Sequence, residues 1–153
     1  MSIQNNFHSD LLVAQKLAYE PSGLSCRNII QETESQDYGA CVFELNNKTV
    51  KFRVAKTTPT KTGQFVTVWK RIGSGPIMPF DLADPIDFFV ISVRNGEKIG
   101  QFVFPKNILS QKGILSKDGK GGKRAIRVYA PWDAANSEQA KRTQAWQHPF
   151  FLK

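Results

Sequence analysis

Residues 49–55 alternate without a break: Val50, Phe52 and Val54 fall on one side of the chain, Lys51 and Arg53 on the other. A period of two is the mark of a strand with one buried face. Residues 41–45 form a short strand before it, and Asn46-Asn47 suits the hairpin turn between them because Asn tolerates positive φ. Residues 65–71 predict a further strand, after a polar loop at 57–63. Residues 87–93 are apolar on both faces, as expected of a central strand covered on both sides. Asn95-Gly96 then predicts a hairpin returning through residues 99–105. Residues 123–130 predict a last strand, with Ile126 and Val128 inward and Lys123, Arg127 and Tyr129 outward.

Helical spacing is confined to the ends. In residues 9–19, Leu11, Leu12, Ala14, Leu17 and Ala18 share a stripe, with Ser9 as cap and Asp10 in the first turn. Pro21-Ser22-Gly23 stops that helix, and residues 24–32 predict a second, with Leu24, Ile29 and Ile30 inward. Residues 106–111 suit one helical turn. Residues 136–147 form a C-terminal helix opened by Ser137 and Glu138, with Phe150, Phe151 and Leu152 pinning its end. The expectation is a single α/β (α+β) domain, a mixed β-sheet flanked by helices: a helical segment over 1–34, a sheet over 38–130 and a helix over 136–147.

Composition changes this picture through charge. The 153 residues carry a formal net charge of +8, and the charge is sorted along the chain. Residues 45–80 hold seven basic residues and no acid; residues 98–132 hold eight against Asp118 alone. Charge gathered in this way attracts polyanions, of which nucleic acid is the commonest in a cell. The candidate contacts are Arg53, Lys56, Lys61, Lys70, Arg71, Lys106, Lys123, Arg124 and Arg127, with Gln64, Trp69 and Tyr129 beside them. Arg forks onto phosphate, and Trp69, Tyr129 or Trp132 could stack on a base. The glycine-rich run at 117–124 could offer backbone N–H groups to an anion. It is not a nucleotide-binding P-loop, because Arg124 stands where Ser or Thr belongs.

Other chemistries find less support. A Mg²⁺-dependent nuclease would use Asp87 with Asp118 or Glu44, yet Asp118 lies in a glycine loop and Arg53 and Lys56 occupy the hairpin where acids are wanted. Cys26 and Cys41 lack metal or redox spacing, His8 and His148 have no partner pattern, and Gly73-Ser74-Gly75 fails as a dinucleotide fingerprint at Met78. The sequence calls for no cofactor and no metal. The longest apolar run, residues 88–91, is too short for a bilayer, and residues 1–10 do not suit a signal peptide. The expected setting is therefore cytoplasmic.

Several uncommon words recur in order: Phe52-Arg53-Val54-Ala55-Lys56, Gly63-Gln64-Phe65-Val66, Trp69-Lys70-Arg71, Asp87-Phe88-Phe89, Gly100-Gln101-Phe102-Val103-Phe104-Pro105-Lys106, Gly122-Lys123-Arg124, Arg127-Val128-Tyr129, Pro131-Trp132 and Gln144-Ala145-Trp146-Gln147. Over roughly residues 35–152 the chain resembles the MepB family, small bacterial proteins named for a gene beside a multidrug efflux pump. The resemblance implies a restriction-endonuclease-like fold and leaves the activity open. The reading that joins fold and charge is a non-catalytic nucleic-acid-binding protein, with duplex DNA as the expected ligand. The rivals are the nuclease, a small-anion or drug-binding protein, and a module docking an acidic protein.

Overall fold

The computed structural model describes residues 8–152, apart from the side chains of Leu17 and Ala18, so the place of those two in the N-terminal stripe lies outside the described residues. The chain opens with helix α1 (Ser9–Ala14), which runs on as a π-helical turn (Gln15–Tyr19) and a 3-10 turn ending before Gly23. The strands that follow are β1 (Cys26–Gln31), β2 (Cys41–Leu45), β3 (Lys48–Val54), β4 (Lys56–Thr57), β5 (Gln64–Thr67), β6 (Trp69–Arg71), β7 (Ile77–Pro79), β8 (Phe88–Asn95) and β9 (Lys98–Pro105). Helix α2 (Lys106–Gln111), β10 (Ala125–Val128), helix α3 (Glu138–Gln147) and β11 (Phe151–Leu152) complete it. The expected mixed α+β architecture holds.

The main sheet has the order β1-β2-β3-β8-β9-β11. All its pairs are antiparallel except β3 with β8, where Phe52 stands opposite Val90. A parallel pair needs a crossover, and residues 55–87 provide it. That crossover lays β4 and β5 over one face of the sheet, where β10 joins them in the order β10-β5-β4, while β6 and β7 form a separate ribbon. Where one strand was expected over 65–71, the chain thus divides between two sheets.

Strand β8 has no solvent face along most of its length. Phe89, Ile91 and Val93 pack with Phe102 and Phe104 of β9 against Val66, Ile126 and Val128 of the small sheet. Val90, with Val50 and Phe52 of β3 and Phe43 of β2, packs under Leu11, Ala14 and Tyr19. The N-terminal helix is fixed there by a polar clasp. Asp10 is fully buried; it accepts from the Ser92 hydroxyl at 2.7 Å and from the Arg94 guanidinium. It lies in the first turn of α1, as expected, and from there also bonds the helix to β8. The cap is His8, whose Nδ1 accepts from the Asp10 N–H, rather than Ser9.

Two local expectations are corrected. The second helix over 24–32 is the edge strand β1. Its pairing slips between Arg27 and Ile30, where Asn28 takes φ 54°, and this bulge sends Ile29 toward the core and leaves Ile30 61% exposed. An irregular strand with two adjacent Ile residues mimics helical spacing. The β8–β9 hairpin forms as expected, but its two-residue turn is Gly96-Glu97, since Asn95 still pairs with Lys98.

Helix α3 is capped by Ser137, whose hydroxyl accepts from the Ala140 N–H at 3.0 Å, as expected. Its far end is held by a buried amide. Gln147 accepts from the Tyr129 N–H and donates to the Arg127 carbonyl, both at 2.9 Å, so one side chain serves the edge of β10 that β5 leaves free. Gln144 adds bonds to the carbonyls of Ala130 and Asp133. Phe150 and Phe151 pack on the core, whereas Leu152 is exposed. The substitution Gln147→Leu keeps the volume but orphans two backbone groups, and is expected to cost about 2 kcal/mol or more. Urea unfolding against the native chain checks this, with a shifted midpoint at unchanged slope as the expected result.

Candidate functional site

The face of β3 that carries Lys51 and Arg53 meets an acidic segment instead of solvent. Glu32 bonds both: Lys51 donates to it at 2.9 Å and Arg53 through Nη1 and Nη2. Arg53 is 1% exposed and also donates to its neighbour's carbonyl at Phe52. Expected as a phosphate contact, it is instead an internal strut with no route to a ligand. Glu34 takes Arg71 at 2.8 Å, Asp37 lies 4.0 Å from Lys56, and Asp84 takes Lys70 at 2.7 Å. Five of the seven cations of residues 45–80 are therefore compensated internally. Most of these pairs are partly exposed and contribute little to stability. They do lower the field that those side chains present outward.

Another expected contact, Gln64, also turns inward. Gln64 donates to Thr57 and to the Arg94 carbonyl and accepts from the Arg94 N–H, which ties the small sheet to the end of β8. Trp69 lies under the Arg71 guanidinium, 5.5 Å from its ring centre, and Lys56 sits over Tyr38. Lys106 opens α2, its N–H bonded to the Asp87 carbonyl. The carbonyl of Arg124 accepts from Val68 while its side chain faces solvent.

The glycine run is a built turn, not an open anion cradle. Lys117 and Lys120 exchange backbone bonds, and Lys123 donates to the Ile114 carbonyl. Asp118, Gly119, Gly121 and Gly122 all take positive φ. A Cβ on Gly122 would stand 2.7 Å from Pro79 and 2.8 Å from the Ser116 nitrogen, so only Gly fits there. Asp81 anchors the turn by accepting from the Ser116 hydroxyl at 2.7 Å and the Gly119 N–H at 3.1 Å.

The second basic block behaves differently. Among the described residues, none of Lys98, Lys106, Lys112, Lys117, Lys120, Lys123, Arg124 and Arg127 has a carboxylate within salt-bridge reach. Three of the expected contacts, Lys61, Lys123 and Arg127, converge with Tyr129 on one cleft of about 680 Å³. Lys112 joins them, and among the described residues no acidic one lines the cleft. One wall is β10 with the loop before β5; the other is α3, through Gln139, Thr143 and Trp146. Arg127 is held in place by the Thr62 carbonyl and the Thr58 hydroxyl. Tyr129 lies flat on the loop because Gly63, at φ 80°, has no Cβ; one would stand 2.7 Å from the ring. Lys112 reaches over Trp146 at 5.7 Å. Sequence reasoning missed Lys112 and the α3 wall, because only the folded chain brings residues 61, 112, 127 and 143 together.

Catalytic candidates find no assembly. Asp87 accepts from the Thr49 N–H at 2.9 Å and thereby sets the register of β3 against β8. Glu44 accepts from Asn28. Among the described residues, no three His, Cys, Asp or Glu side chains gather where they could hold a metal ion. Burial pushes the Cys26 thiol up to about 11, against a hydrogen bond from Gln15, and the Cys41 thiol up to about 12. Neither is a thiolate near neutral pH. Among the described residues, no helix is long and apolar enough to cross a membrane.

Comparison with known proteins bears on the whole arrangement. Residues 32–153 match the family model described as MepB-like. A solved crystal structure of MepB is similar, with 35% sequence identity and a TM-score of 0.81, over 95% of this chain and 96% of the other. No curated protein sequence matches the chain.

Asp81 gives the site a pH dependence. The Ser116 hydroxyl, then the N–H groups of Ala83 and Gly119, hold its carboxyl below the usual carboxylate range. A depressed folded-state pKa contributes stability above the unfolded value and loses it as pH falls through the folded one. Acidification is therefore expected to loosen the 117–122 turn, and Asp81→Asn to do so at neutral pH. Hydrogen exchange at Gly119 and Lys120 checks both, with faster exchange expected in each case and unchanged exchange in β8.

Proposed function

The chain belongs to the MepB-like family, and on that premise we propose that it is a cytoplasmic nucleic-acid-binding protein that acts without catalysis. We read its mixed sheet, with one parallel pair and helices on both faces, as restriction-endonuclease-like. The observation that carries the proposal is the cleft with Lys61, Lys112, Lys123 and Arg127 on its walls and, among the described residues, no acid. A carboxylate there would compensate the cations, as Glu32, Glu34, Asp37 and Asp84 do elsewhere. Leaving four cations uncompensated in a concavity concentrates the field and favours an anionic ligand.

A cleft of this size also suits a small anion. The charge favours a polymer, because it does not stop at the cleft. Lys117, Lys120 and Arg124 lie along the chain beside Lys123, exposed and without acidic partners among the described residues. Arg127 supplies the fork geometry suited to phosphate, and its fixed guanidinium loses little freedom on binding.

Fluorescence anisotropy with a labelled mixed-sequence oligonucleotide tests this. With about four phosphate contacts, log affinity is expected to fall against log salt with a slope of about −3 to −4. Lys123→Ala and Arg127→Ala should each reduce the slope by about 1. Lys70→Ala, whose side chain is already paired with Asp84, should leave it unchanged. An affinity indifferent to salt would overturn the proposal.

A further inference from the structure

We infer that the cleft takes a single strand of nucleic acid, with its phosphates along the β10 wall and a base turned toward α3. This rests on the nucleic-acid reading above and departs from the duplex expected from sequence.

The first reason is shape. Proteins that read duplex DNA insert a helix or a two-stranded ribbon into the major groove, which is about 12 Å wide. Here the cations line the inside of a concavity of about 680 Å³. An intact double helix is too broad to enter that space and would meet only the exposed lysines at the surface. A single strand can lower one or two nucleotides into the space.

The second reason is the division of chemistry between the walls. Lys61, Lys123 and Arg127 all belong to β10 or the segments bordering it and β5. The α3 residues that line the cleft are uncharged, with Lys112, from the segment after α2, over Trp146. Gln139 and Thr143, one turn apart, and Trp146, about one turn further, face the cleft from the same side of the helix. Gln139 and Thr143 offer both donors and acceptors, the groups that an unpaired base edge needs. Tyr129, lying on Gly63, and Trp146, beneath Lys112, are partly exposed aromatic rings of the lining, and a base would stack on Trp146 by displacing Lys112. A duplex keeps its Watson–Crick edges paired and its base faces stacked, whereas a single strand presents phosphate to one side and a free base to the other.

Asn136, just before α3, donates to the Thr62 hydroxyl at 3.4 Å, a long and exposed contact between the two walls.

The test compares a labelled 12-nucleotide DNA strand, its RNA counterpart and the corresponding DNA duplex at 50 mM salt. Each is measured with the native chain, Thr143→Trp and Gln139→Glu. Thr143→Trp fills the cleft without changing charge; Gln139→Glu, at an exposed position, puts a carboxylate on the α3 wall. The single strands are expected to bind at least about tenfold tighter than the duplex, and each variant to weaken them by about tenfold, in line with the loss of one stacked or bonded base. Quenching of tryptophan emission in a Trp69→Phe, Trp132→Phe chain would place the base against Trp146. Equal or tighter duplex binding, untouched by Thr143→Trp, overturns the inference and leaves nucleic-acid binding standing. A mononucleotide that competes as well as the 12-mer also overturns it, in favour of a small-ligand pocket. Failure of every probe to bind overturns the broader reading as well.

Discussion

Strand β8 must be kept from water on both faces, and the rest of the molecule is arranged around that constraint. Phe89, Ile91 and Val93 on one side and Val90 on the other cannot all be buried by a single layer. The parallel pairing with β3 meets the first demand, because its long crossover brings the small sheet down on Phe89, Ile91 and Val93. The N-terminal helix meets the second, and Asp10 clasps it to the same strand through Ser92 and Arg94. The cleft follows from this layering. Once β10 is fixed on the small sheet, its free edge needs hydrogen-bond partners, and Gln147 and Gln144 bring α3 alongside as the second wall.

The electrostatics divide in the same way. On the sheet side, Lys51, Arg53 and Lys70 are buried or half-buried, where an unpaired charge is costly, and are matched by Glu32 or Asp84; the more exposed Lys56 and Arg71 take Asp37 and Glu34. Arg53 is the extreme case: it lies among apolar strands and depends on Glu32. Lys61, Lys112 and Lys123 keep their ammonium groups at the surface, where water supports them without a partner. The two basic blocks of the sequence thus have different fates, and only Lys61 of the first joins the second.

Much of the fold was legible from local pattern. Alternation placed β2 and β3, the apolar run placed β8, and Ser137 placed the start of α3, because each signal is contained within a few neighbouring residues. The bulge at Asn28 hid β1, since a strand that slips register loses the period by which it is recognised. The candidate site was less legible for a related reason. Alternation assigns Lys51 and Arg53 to a face but does not say what covers that face, and their partner Glu32 lies beyond the hairpin that contains them. Lys123, Arg127 and Tyr129 were visible as an outward row on one strand. Lys112 and Thr143 gave no signal, because their relevance comes from contacts between separate elements.

The clasp at Asp10 holds a segment that the family model leaves out. Similarity to the family model starts at residue 32, yet Leu11, Ala14 and Tyr19, which roof Phe43, Phe52 and Val90, come earlier. A chain trimmed to the matched stretch would keep its cleft and lose that roof and the outermost strand of its sheet. The bared greasy surface and raw β2 border would then be sticky toward sister molecules. The MepB crystal structure matches 95% of this chain, so the roof belongs to the shared fold although the family model begins after it.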